Sequence, residues 1–280
     1  MIDGAIPYLR CPVCRESLTR EGRALRCARR HSFDMAKQGY ADLSAGRLSH
    51  TGDSAQMIAD RADFLGAGHY DFIATALTKH PAGSPVDADA GRSALDGGLV
   101  LDAGTGTGDY LSRFLDASPD ATGLGLDVSK PALRRAARAH PRAAAVLADL
   151  WRPFPIADDS AAVILNVFAP RNGPEFHRVL RPDGVLLVVT PAADHLTELV
   201  TGFGLIHVDP AKADRVADSL GDRFQSVASS THRHEMRLTA AEVRTLIGMT
   251  PSARHVPVDA LPTSELTVTA AVTLTAYRPR

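Results

Sequence analysis

The chain has 280 residues, of which 45% are hydrophobic, and a formal net charge of −1. This composition is ordinary for a globular protein, and the length allows one large domain with a small appendage or two domains. No apolar run is long enough for a membrane-spanning helix, and no apolar segment of a secretory signal precedes Arg10 and Cys11. We therefore expect a cytoplasmic protein with no membrane partner.

The three cysteines of the chain, Cys11, Cys14 and Cys27, all lie within its first thirty residues, and His31 follows shortly after them. The spacing Cys-x2-Cys-x12-Cys-x3-His fits a tetrahedral zinc site, because a Cys-x2-Cys turn supplies two ligands from one tight knuckle. Unrelated buried cysteines would be scattered through the apolar segments. A disulfide would leave one cysteine over and would need a secreted context. The pattern predicts a zinc site with three cysteine ligands and one histidine ligand.

Positive charge is concentrated around these ligands. Residues 1–50 carry nine Lys or Arg against five Asp or Glu, so the remainder of the chain is acidic. Six arginines surround the predicted ligands: Arg15, Arg20, Arg23, Arg26, Arg29 and Arg30. A basic zinc module suggests a nucleic-acid phosphate partner, although an arginine-rich solvated face explains the same excess. We predict a zinc-binding RNA-recognition module over residues 1–49.

Residues 50–97 predict a helical connection and linker. Asp53 or Ser54 is a suitable N-cap for a helix that runs through Met57, Ile58 and Phe64–Leu65. A second helix is expected near Tyr70 to His80. Residues 81–97 are rich in Pro, Gly, Ala and Asp, which is typical of a loop.

Residues 98–280 alternate short apolar strands with helices. Strands are predicted at 99–102, 122–127, 144–147, 161–167 and 185–190, with helices starting near Tyr110 and at Ser129, the latter through Ala139. This alternation predicts an α/β, Rossmann-like domain with a parallel sheet covered on both faces.

A glycine-rich loop follows the first of these strands, from Asp102 through Gly104, Gly106 and Thr107 to Gly108. Glycines there let a ligand approach the backbone closely, although a tight packing turn gives the same pattern. Two carboxylates strengthen the cofactor interpretation, because each follows a strand: Asp127 for ribose hydroxyls and Asp149 beside an adenine ring. The G-x-G-x-G spacing without a following Lys-Ser/Thr favours S-adenosylmethionine over NAD or ATP.

These motifs carry a family resemblance. The glycine-rich loop, Asp127 and Asp149 are similar to the nucleotide motifs of class I S-adenosylmethionine-dependent methyltransferases. The chain further resembles the RlmA-type 23S rRNA (guanine-N1-)-methyltransferases, and within them an actinobacterial branch that includes a tylosin-resistance enzyme. The residues that carry this are Leu9-Arg-Cys-Pro-Val-Cys14, His31-Ser-Phe-Asp-Met-Ala-Lys-Gln-Gly-Tyr40, Gly52-Asp-Ser54, Phe64-Leu-x-x-Gly-His-Tyr70, Asn166-Val-Phe-Ala-Pro-Arg171 and Thr190-Pro-x-x-Asp-His-Leu196.

The resemblance implies methylation of guanine N1 in a hairpin of 23S rRNA domain II, with macrolide resistance of the tylosin type as the associated role. It implies Zn2+ bound by Cys11, Cys14, Cys27 and His31, and contacts to S-adenosylmethionine from Tyr70, the Thr107–Gly108 pair and His195. It also implies a homodimer. Relatives place an aromatic residue where this chain has Ala253 and Arg254.

The chemistry indicates two further candidates. A guanine must leave its stack before N1 is accessible, and N1 must lose its proton before it attacks. Asn166 ends a predicted strand and is expected to hydrogen-bond the guanine edge, and Phe168 is expected to stack on the ring. Strand termination and core packing explain the same two residues. Asp194 and His195 are candidate general bases.

Three other functions compete with an rRNA methyltransferase. A small-molecule methyltransferase would use the zinc structurally, and a non-catalytic RNA-binding or drug-binding protein would have no need of the glycines and carboxylates. A zinc hydrolase would need an open coordination position, which four protein ligands leave closed.

Overall fold

The computed structural model describes residues 2–44, 46–48, 51–80, 98–203, 205, 219–250 and 263–280. The predicted loop at 81–97 and the substitution at Ala253 and Arg254 lie outside these residues. The N-terminal part begins with a 3-10 helix, Ile2–Tyr8. A small antiparallel sheet follows, made of β1 (Leu18–Glu21), β2 (Ala24–Cys27) and β3 (Ser32–Asp34).

Eight further strands form one large sheet. They are β4 (Ala41–Asp42), β5 (Leu99–Ala103), β6 (Thr122–Asp127), β7 (Ala143–Leu147), β8 (Ala161–Val167), β9 (Leu180–Pro191), β10 (Phe224–Leu238) and β11 (Leu266–Pro279). Their spatial order is β10-β11-β9-β8-β5-β6-β7-β4. The strands from β9 to β4 run parallel, so the carboxyl ends of β5 to β8 meet at one edge. That edge carries the candidate site residues.

Seven α-helices are described: α1 (Ala55–Gly66), α2 (Asp71–Lys79), α3 (Asp109–Asp116), α4 (Lys130–Ala136), α5 (Gly173–Val179), α6 (Thr197–Phe203) and α7 (Ala240–Gly248). Local capping explains several of their starts. The Ser54 hydroxyl accepts a hydrogen bond from the backbone N–H of Met57, and Ser129 does the same for Ala132. Thr239 and Glu242 form a reciprocal capping box on α7. None of the described helices is long and apolar enough to cross a bilayer.

Two expectations from the sequence are corrected. The helix expected to reach Ala139 ends at Ala136, and residues 137–139 form a turn that leads to His140, whose helical conformation Pro141 disfavours. The large sheet is mixed rather than wholly parallel, because β11 pairs antiparallel with both β9 and β10. The long strand β10 was not predicted because its side chains are mostly exposed and polar, which leaves it without an apolar run.

The N-terminal part shares its core with the large sheet. Cys11, Leu18, Leu25 and Cys27 lie in one buried cluster with side chains from one face of β5 to β9. Backbone hydrogen bonds cross the same junction, from Arg10 N–H to the Pro155 carbonyl at 2.9 Å and from Ala157 N–H to the Tyr8 carbonyl at 2.8 Å. The pairing of β4 with β7 extends the large sheet with residues of the predicted zinc module. The boundaries 1–49, 50–97 and 98–280 remain predictions.

Candidate cofactor site and metal centre

Two backbone knuckles bring Cys11, Cys14, Cys27 and His31 together. The first is closed by the Arg15 N–H, which donates to the Cys11 carbonyl at 2.8 Å. The second is closed by the Arg30 N–H, which donates to the Cys27 carbonyl at 2.9 Å. Arg15 and Arg30 both have φ of +65°, so each knuckle turns through a left-handed residue. The ligand atoms all lie within 4.8 Å of one another.

The distances between these atoms fit zinc. Cys14 Sγ lies 3.7 Å from Cys27 Sγ, and His31 Nδ1 lies 3.5 Å from Cys11 Sγ and 3.3 Å from Cys27 Sγ. A tetrahedron with Zn–S near 2.3 Å and Zn–N near 2.0 Å has corners roughly 3.8 Å apart for two sulfurs and roughly 3.5 Å apart for sulfur and nitrogen. The three cysteines form no disulfide. Four protein ligands give a closed, structural site.

The glycine-rich loop folds over the carboxyl end of β6. The N–H groups of Gly104 and Thr105 both donate to the Leu126 carbonyl at 2.9 Å, and Gly104, Gly106 and Gly108 have φ of +90°, +54° and +83°. A Cβ on Gly104 would lie 2.4 Å from the Cβ of Ala169, and one on Gly108 would lie 3.0 Å from α4 atoms. These two glycines are therefore required for packing.

Gly106 differs from the other two glycines. A Cβ there would meet only the Arg61 side chain, at 3.5 Å, so the loop has an open side at this point. Its N–H donates to Asp127 Oδ2 at 2.9 Å, and the other oxygen of that carboxylate accepts from the Ser129 N–H at 2.8 Å. Burial raises the pKa of Asp127, and the two N–H groups act in the opposite direction. The carboxylate is thus oriented toward the loop.

Asp102 lies beneath the same loop. Its side chain is 2% exposed, and Oδ2 accepts a 2.7 Å hydrogen bond from the Thr105 hydroxyl. Burial raises the pKa of Asp102 to about 7; the Thr105 hydrogen bond lowers it and the charge of Asp127 raises it further. A bound cation here would convert Asp102 fully to the carboxylate.

Asp149 follows β7 and is also buried. Its Oδ1 accepts from the Trp151 N–H at 2.9 Å, and Oδ2 lies 3.7 Å from Arg152 Nε. The turn Asp149–Trp151 is fixed by this bond, whereas Trp151 is 60% exposed. Asp102, Asp127 and Asp149 thus end three adjacent strands at the same edge.

Three aromatic rings converge above this edge from separate parts of the chain. Phe168 and His195 have ring centroids 5.9 Å apart, and Tyr70 lies 6.4 Å from each. Tyr70 is buried, whereas Phe168 is 40% exposed and has a φ of +53°. Left-handed backbone is uncommon for a bulky residue and costs on the order of 1 kcal/mol or more, so packing of the loop must hold Phe168 outward. The Phe168 ring therefore presents a flat surface on which another aromatic ring can stack.

The two candidate bases are both engaged. His195 Nδ1 accepts from the Ala271 N–H at 3.2 Å, so the neutral imidazole carries its proton on Nε2. Asp194 pairs with Arg233 at 2.7 Å, and this hydrogen bond holds the pKa of Asp194 below its usual value. Neither residue is arranged to accept a proton readily.

Asn166 is fully buried, which differs from the direct contact expected from the sequence. Its Nδ2 donates to the carbonyls of Ala103 and Pro170 at 3.1 and 2.9 Å, so the amide nitrogen ties the glycine-rich loop to the loop that carries Phe168. Within the described residues its buried Oδ1 has no hydrogen-bond partner. The amide therefore has one free acceptor and no free donor.

Arg61 is a site residue that the sequence analysis missed. It projects from α1 over Gly106, pairs with Asp53 at 2.6 Å and donates to the Met249 carbonyl at 2.9 Å. It thereby connects the glycine-rich loop with the end of α7. No local pattern marks Arg61, because Gly106 and Met249, which it contacts, lie far from it in the sequence.

The residues present fit both expected groups. The closed set of three cysteines and one histidine matches zinc by distance and donor chemistry. The open side of Gly106, its neighbouring carboxylates and the unpartnered Asn166 Oδ1 fit a polar, cationic nucleoside such as S-adenosylmethionine.

Comparison with known proteins supports this assignment. Residues 9–44 match the zinc ribbon family described as "RlmA, N-terminal", and residues 100–184 match the family described as "Methyltransferase domain". A Micromonospora griseorubida protein assigned by name to the 23S rRNA (guanine-N(1)-)-methyltransferases is 55% identical over 98% of both chains. The "23S rRNA (guanine(748)-N(1))-methyltransferase" of Streptomyces fradiae is 45% identical over 100% of this chain and 99% of the relative.

A solved structure agrees at the level of the fold. It is described as a complex between the Haloferax volcanii Trm112 methyltransferase activator and a methyltransferase, and the match has a TM-score of 0.53 at 17% identity. It covers 82% of this chain and 99% of the other. The predicted fold class, a class I methyltransferase domain with an N-terminal zinc ribbon, is confirmed, and so are the predicted cofactors, S-adenosylmethionine and Zn2+.

Proposed function

Because the chain belongs to the family of 23S rRNA (guanine-N1-)-methyltransferases, we propose that it methylates N1 of one guanine in a hairpin of 23S rRNA domain II. The enzyme class and S-adenosylmethionine-dependent rRNA methylation follow from family membership. The observation that carries the proposal is full-length similarity to two such relatives in a chain whose zinc ligands, glycine-rich loop and carboxylates are all present.

The target guanine is proposed to correspond to position 748, the position printed in the name of the Streptomyces fradiae relative. Identity of 45% over both full chains supports the same choice of substrate. Resistance to macrolides of the tylosin type is the physiological role that this proposal includes. A cytoplasmic location and a homodimer are part of the same proposal.

The proposal includes a cofactor-binding role for each residue of the site. Bound S-adenosylmethionine supplies an electrophilic methyl group, so the protein's main task is to align the acceptor nitrogen with it. Asp127 is assigned to the ribose hydroxyls, Asp149 to the adenine and Asp102 to the positively charged end of the cofactor. Tyr70, the Thr107–Gly108 pair and His195 complete the pocket.

The guanine is proposed to stack on Phe168, whose ring is held outward beside His195. Asn166 is assigned a positioning role, because its Nδ2 fixes the distance between the glycine-rich loop and the Phe168 loop. Since Asp194 and His195 are both engaged, the N1 proton is expected to leave to solvent rather than to either side chain.

Methyl transfer to 23S rRNA lacking the native modification tests this function. Label from S-adenosylmethionine should enter the RNA, and primer extension should stop beside one guanine, because a methyl group on N1 blocks Watson–Crick pairing. Phe168→Leu keeps the residue apolar but removes the stacking surface, and should lower kcat/KM for RNA by about tenfold with cofactor affinity unchanged. A primer-extension stop at a different base would contradict the proposed target guanine.

A small-molecule methyltransferase with a structural zinc is the alternative. Cofactor binding without label or stop on any 23S rRNA fragment, together with turnover of a metabolite, would favour it.

A further inference from the structure

Exposed cations that have no carboxylate partner among the described residues lie on α4 and on the turn that follows it. Between Ser129 and Arg142 the sequence has no acidic residue. Arg134 and Arg138 are four residues apart and exposed, and Lys37 is exposed on the neighbouring segment. Among the described residues, no carboxylate lies within ion-pairing distance of these three side chains. We call Lys37, Arg134 and Arg138 the α4 basic face.

Four of the six arginines around the zinc ligands are arranged differently. Arg20 makes two hydrogen bonds to the Asp3 carboxylate at 2.8 and 2.7 Å, Arg26 pairs with Glu21 at 2.7 Å and Arg29 lies 3.7 Å from Glu16. Arg15 is directed into the junction with the large domain, where it donates to the carbonyls of Phe154 and Ile156. A phosphate would have to displace a carboxylate or carbonyl from each. These four arginines are therefore poor phosphate ligands compared with those of the α4 basic face. Arg23 and Arg30 are exposed and have no carboxylate partner among the described residues, so they belong to neither set.

Packing places Lys37 beside α4. Ala36 and Tyr40 lie in one cluster with Leu133 and Ala136, and a Cβ on Gly39 would be 3.8 Å from the Ala137 Cβ. The N-terminal module and the methyltransferase domain therefore contribute to a single cationic surface. No single stretch of sequence shows this combination.

The α4 basic face adjoins the cofactor site. Ser129, the N-cap of α4, donates its N–H to the Asp127 carboxylate, and Arg135, the neighbour of Arg134, lines a surface cavity together with Thr107 of the glycine-rich loop. From that rim the helix runs down the flank of the sheet, since it returns the chain from the carboxyl end of β6 to the start of β7. An RNA strand that enters the cofactor site from this side would pass along α4.

We propose that the α4 basic face binds backbone phosphates of the RNA beside the target guanine. Arginine guanidinium groups match phosphate geometry bidentately, and unpaired ones need no prior dissociation. The exposed large hydrophobic residues of the described chain are Val13, Trp151, Phe168 and Val227, and none lies on this face. A polyanion therefore fits it better than an apolar partner or a membrane. This inference rests on the proposed function.

The test compares two triple variants of equal charge change. One is Lys37→Gln, Arg134→Gln and Arg138→Gln; the matched control is Arg20→Gln, Arg26→Gln and Arg29→Gln. Binding of each full-length protein to a fluorescent 23S domain II hairpin transcript is measured by anisotropy at salt concentrations from about 50 to about 300 mM. Calorimetry with S-adenosylhomocysteine and a melting curve check the cofactor site and the fold.

The α4 variant is expected to bind RNA at least about tenfold more weakly and to lose about two to three units of the slope of log K against log salt. The control should remain within about twofold of wild type. Cofactor affinity should be unchanged in both variants. Wild-type RNA affinity in the α4 variant, or a larger loss in the control, overturns the α4 assignment while leaving the methyltransferase function intact. A wild-type protein that binds cofactor but neither binds nor methylates the RNA overturns both.

Discussion

Burial beneath a glycine-rich loop makes Asp102 an unusual carboxyl group. Its pKa of about 7 compares with an ordinary value of 3.8, so between about pH 4 and about pH 7 the folded protein without cofactor holds a proton there that the unfolded chain has lost. A raised carboxyl pKa makes the folded state less stable as pH rises from about 4 to about 7. A cation bound beside Asp102 removes this disadvantage, because it stabilises the charged form.

Cofactor binding should therefore release protons. Calorimetric titrations of S-adenosylmethionine at about pH 6.5 in buffers of different ionisation enthalpy should show release of up to about one proton, and affinity should increase between about pH 5.5 and about pH 8. Asp102→Asn keeps the shape of the side chain and should abolish the release. Equal proton release in wild type and variant would assign the titration to another group, with Asp127 the next candidate because burial raises its pKa also.

Phe168 and Asn166 lie two residues apart but differ in exposure and in hydrogen bonding. Phe168 has strained backbone and an exposed ring, whereas Asn166 is fully buried and bonded to two carbonyls. Their spacing alone predicts substrate contact for both. Only the hydrogen bonds separate a residue that presents a surface from one that positions the loop.

At the scale of elements, the zinc knuckles stabilise the core of the large domain as well as the N-terminal part. Cys11 and Cys27 belong to the same buried cluster as Leu99 and Leu101 of β5, so the metal fixes one side of the large domain's core. Structural zinc contributes folding free energy directly. Loss of the metal should therefore destabilise the large domain as well as the N-terminal part.

His31→Ala and His31→Cys form a matched pair that tests this coupling. The alanine variant should lose zinc and melt at least about 10 °C lower, because several kcal/mol of folding free energy disappear. The cysteine variant offers a ligand set of four cysteines and should keep about one zinc per chain. Metal content and differential scanning calorimetry measure both. Zinc-free protein that melts as wild type would show that the knuckles fold without metal.

At the scale of the whole molecule, Arg15 connects the two parts of the chain. Its guanidinium donates to the carbonyls of Phe154 and Ile156 at 2.6 and 2.9 Å, and Arg178 donates to the same two carbonyls. Together with the shared core, these bonds predict that the zinc module and the methyltransferase domain unfold in one transition.

Arg15→Ala should lower the melting temperature by roughly 3–10 °C, because it removes two charge-assisted hydrogen bonds worth about 1–3 kcal/mol. Arg20→Ala is the matched control, since it removes an exposed ion pair with Asp3 and should shift the transition by no more than about 3 °C. Scanning calorimetry of the zinc-loaded proteins measures both. Two separate transitions in wild type would contradict the single cooperative unit.

The sequence by itself determined the features that depend on neighbouring residues. The zinc ligands lie in two short knuckles, and the glycine-rich loop, Asp127 and Asp149 each follow a strand whose apolar run is visible. The local backbone geometry determines the positions of such residues, so they can be predicted without knowledge of long-range packing. The same is true of the caps at Ser54 and Ser129, which start their helices through bonds to residues three positions away.

Only the tertiary structure decided which groups remain available for a ligand. It paired Arg20 and Arg26 with carboxylates, left Arg134 and Arg138 without them among the described residues, and brought Arg61 over Gly106. It also added β10 and β11, whose antiparallel pairing joins distant parts of the chain, such as Phe224 and Pro279. Ion pairs, ring clusters and strand partners depend on which surfaces come into contact when the chain folds. The spacing of residues in the sequence does not predict those contacts.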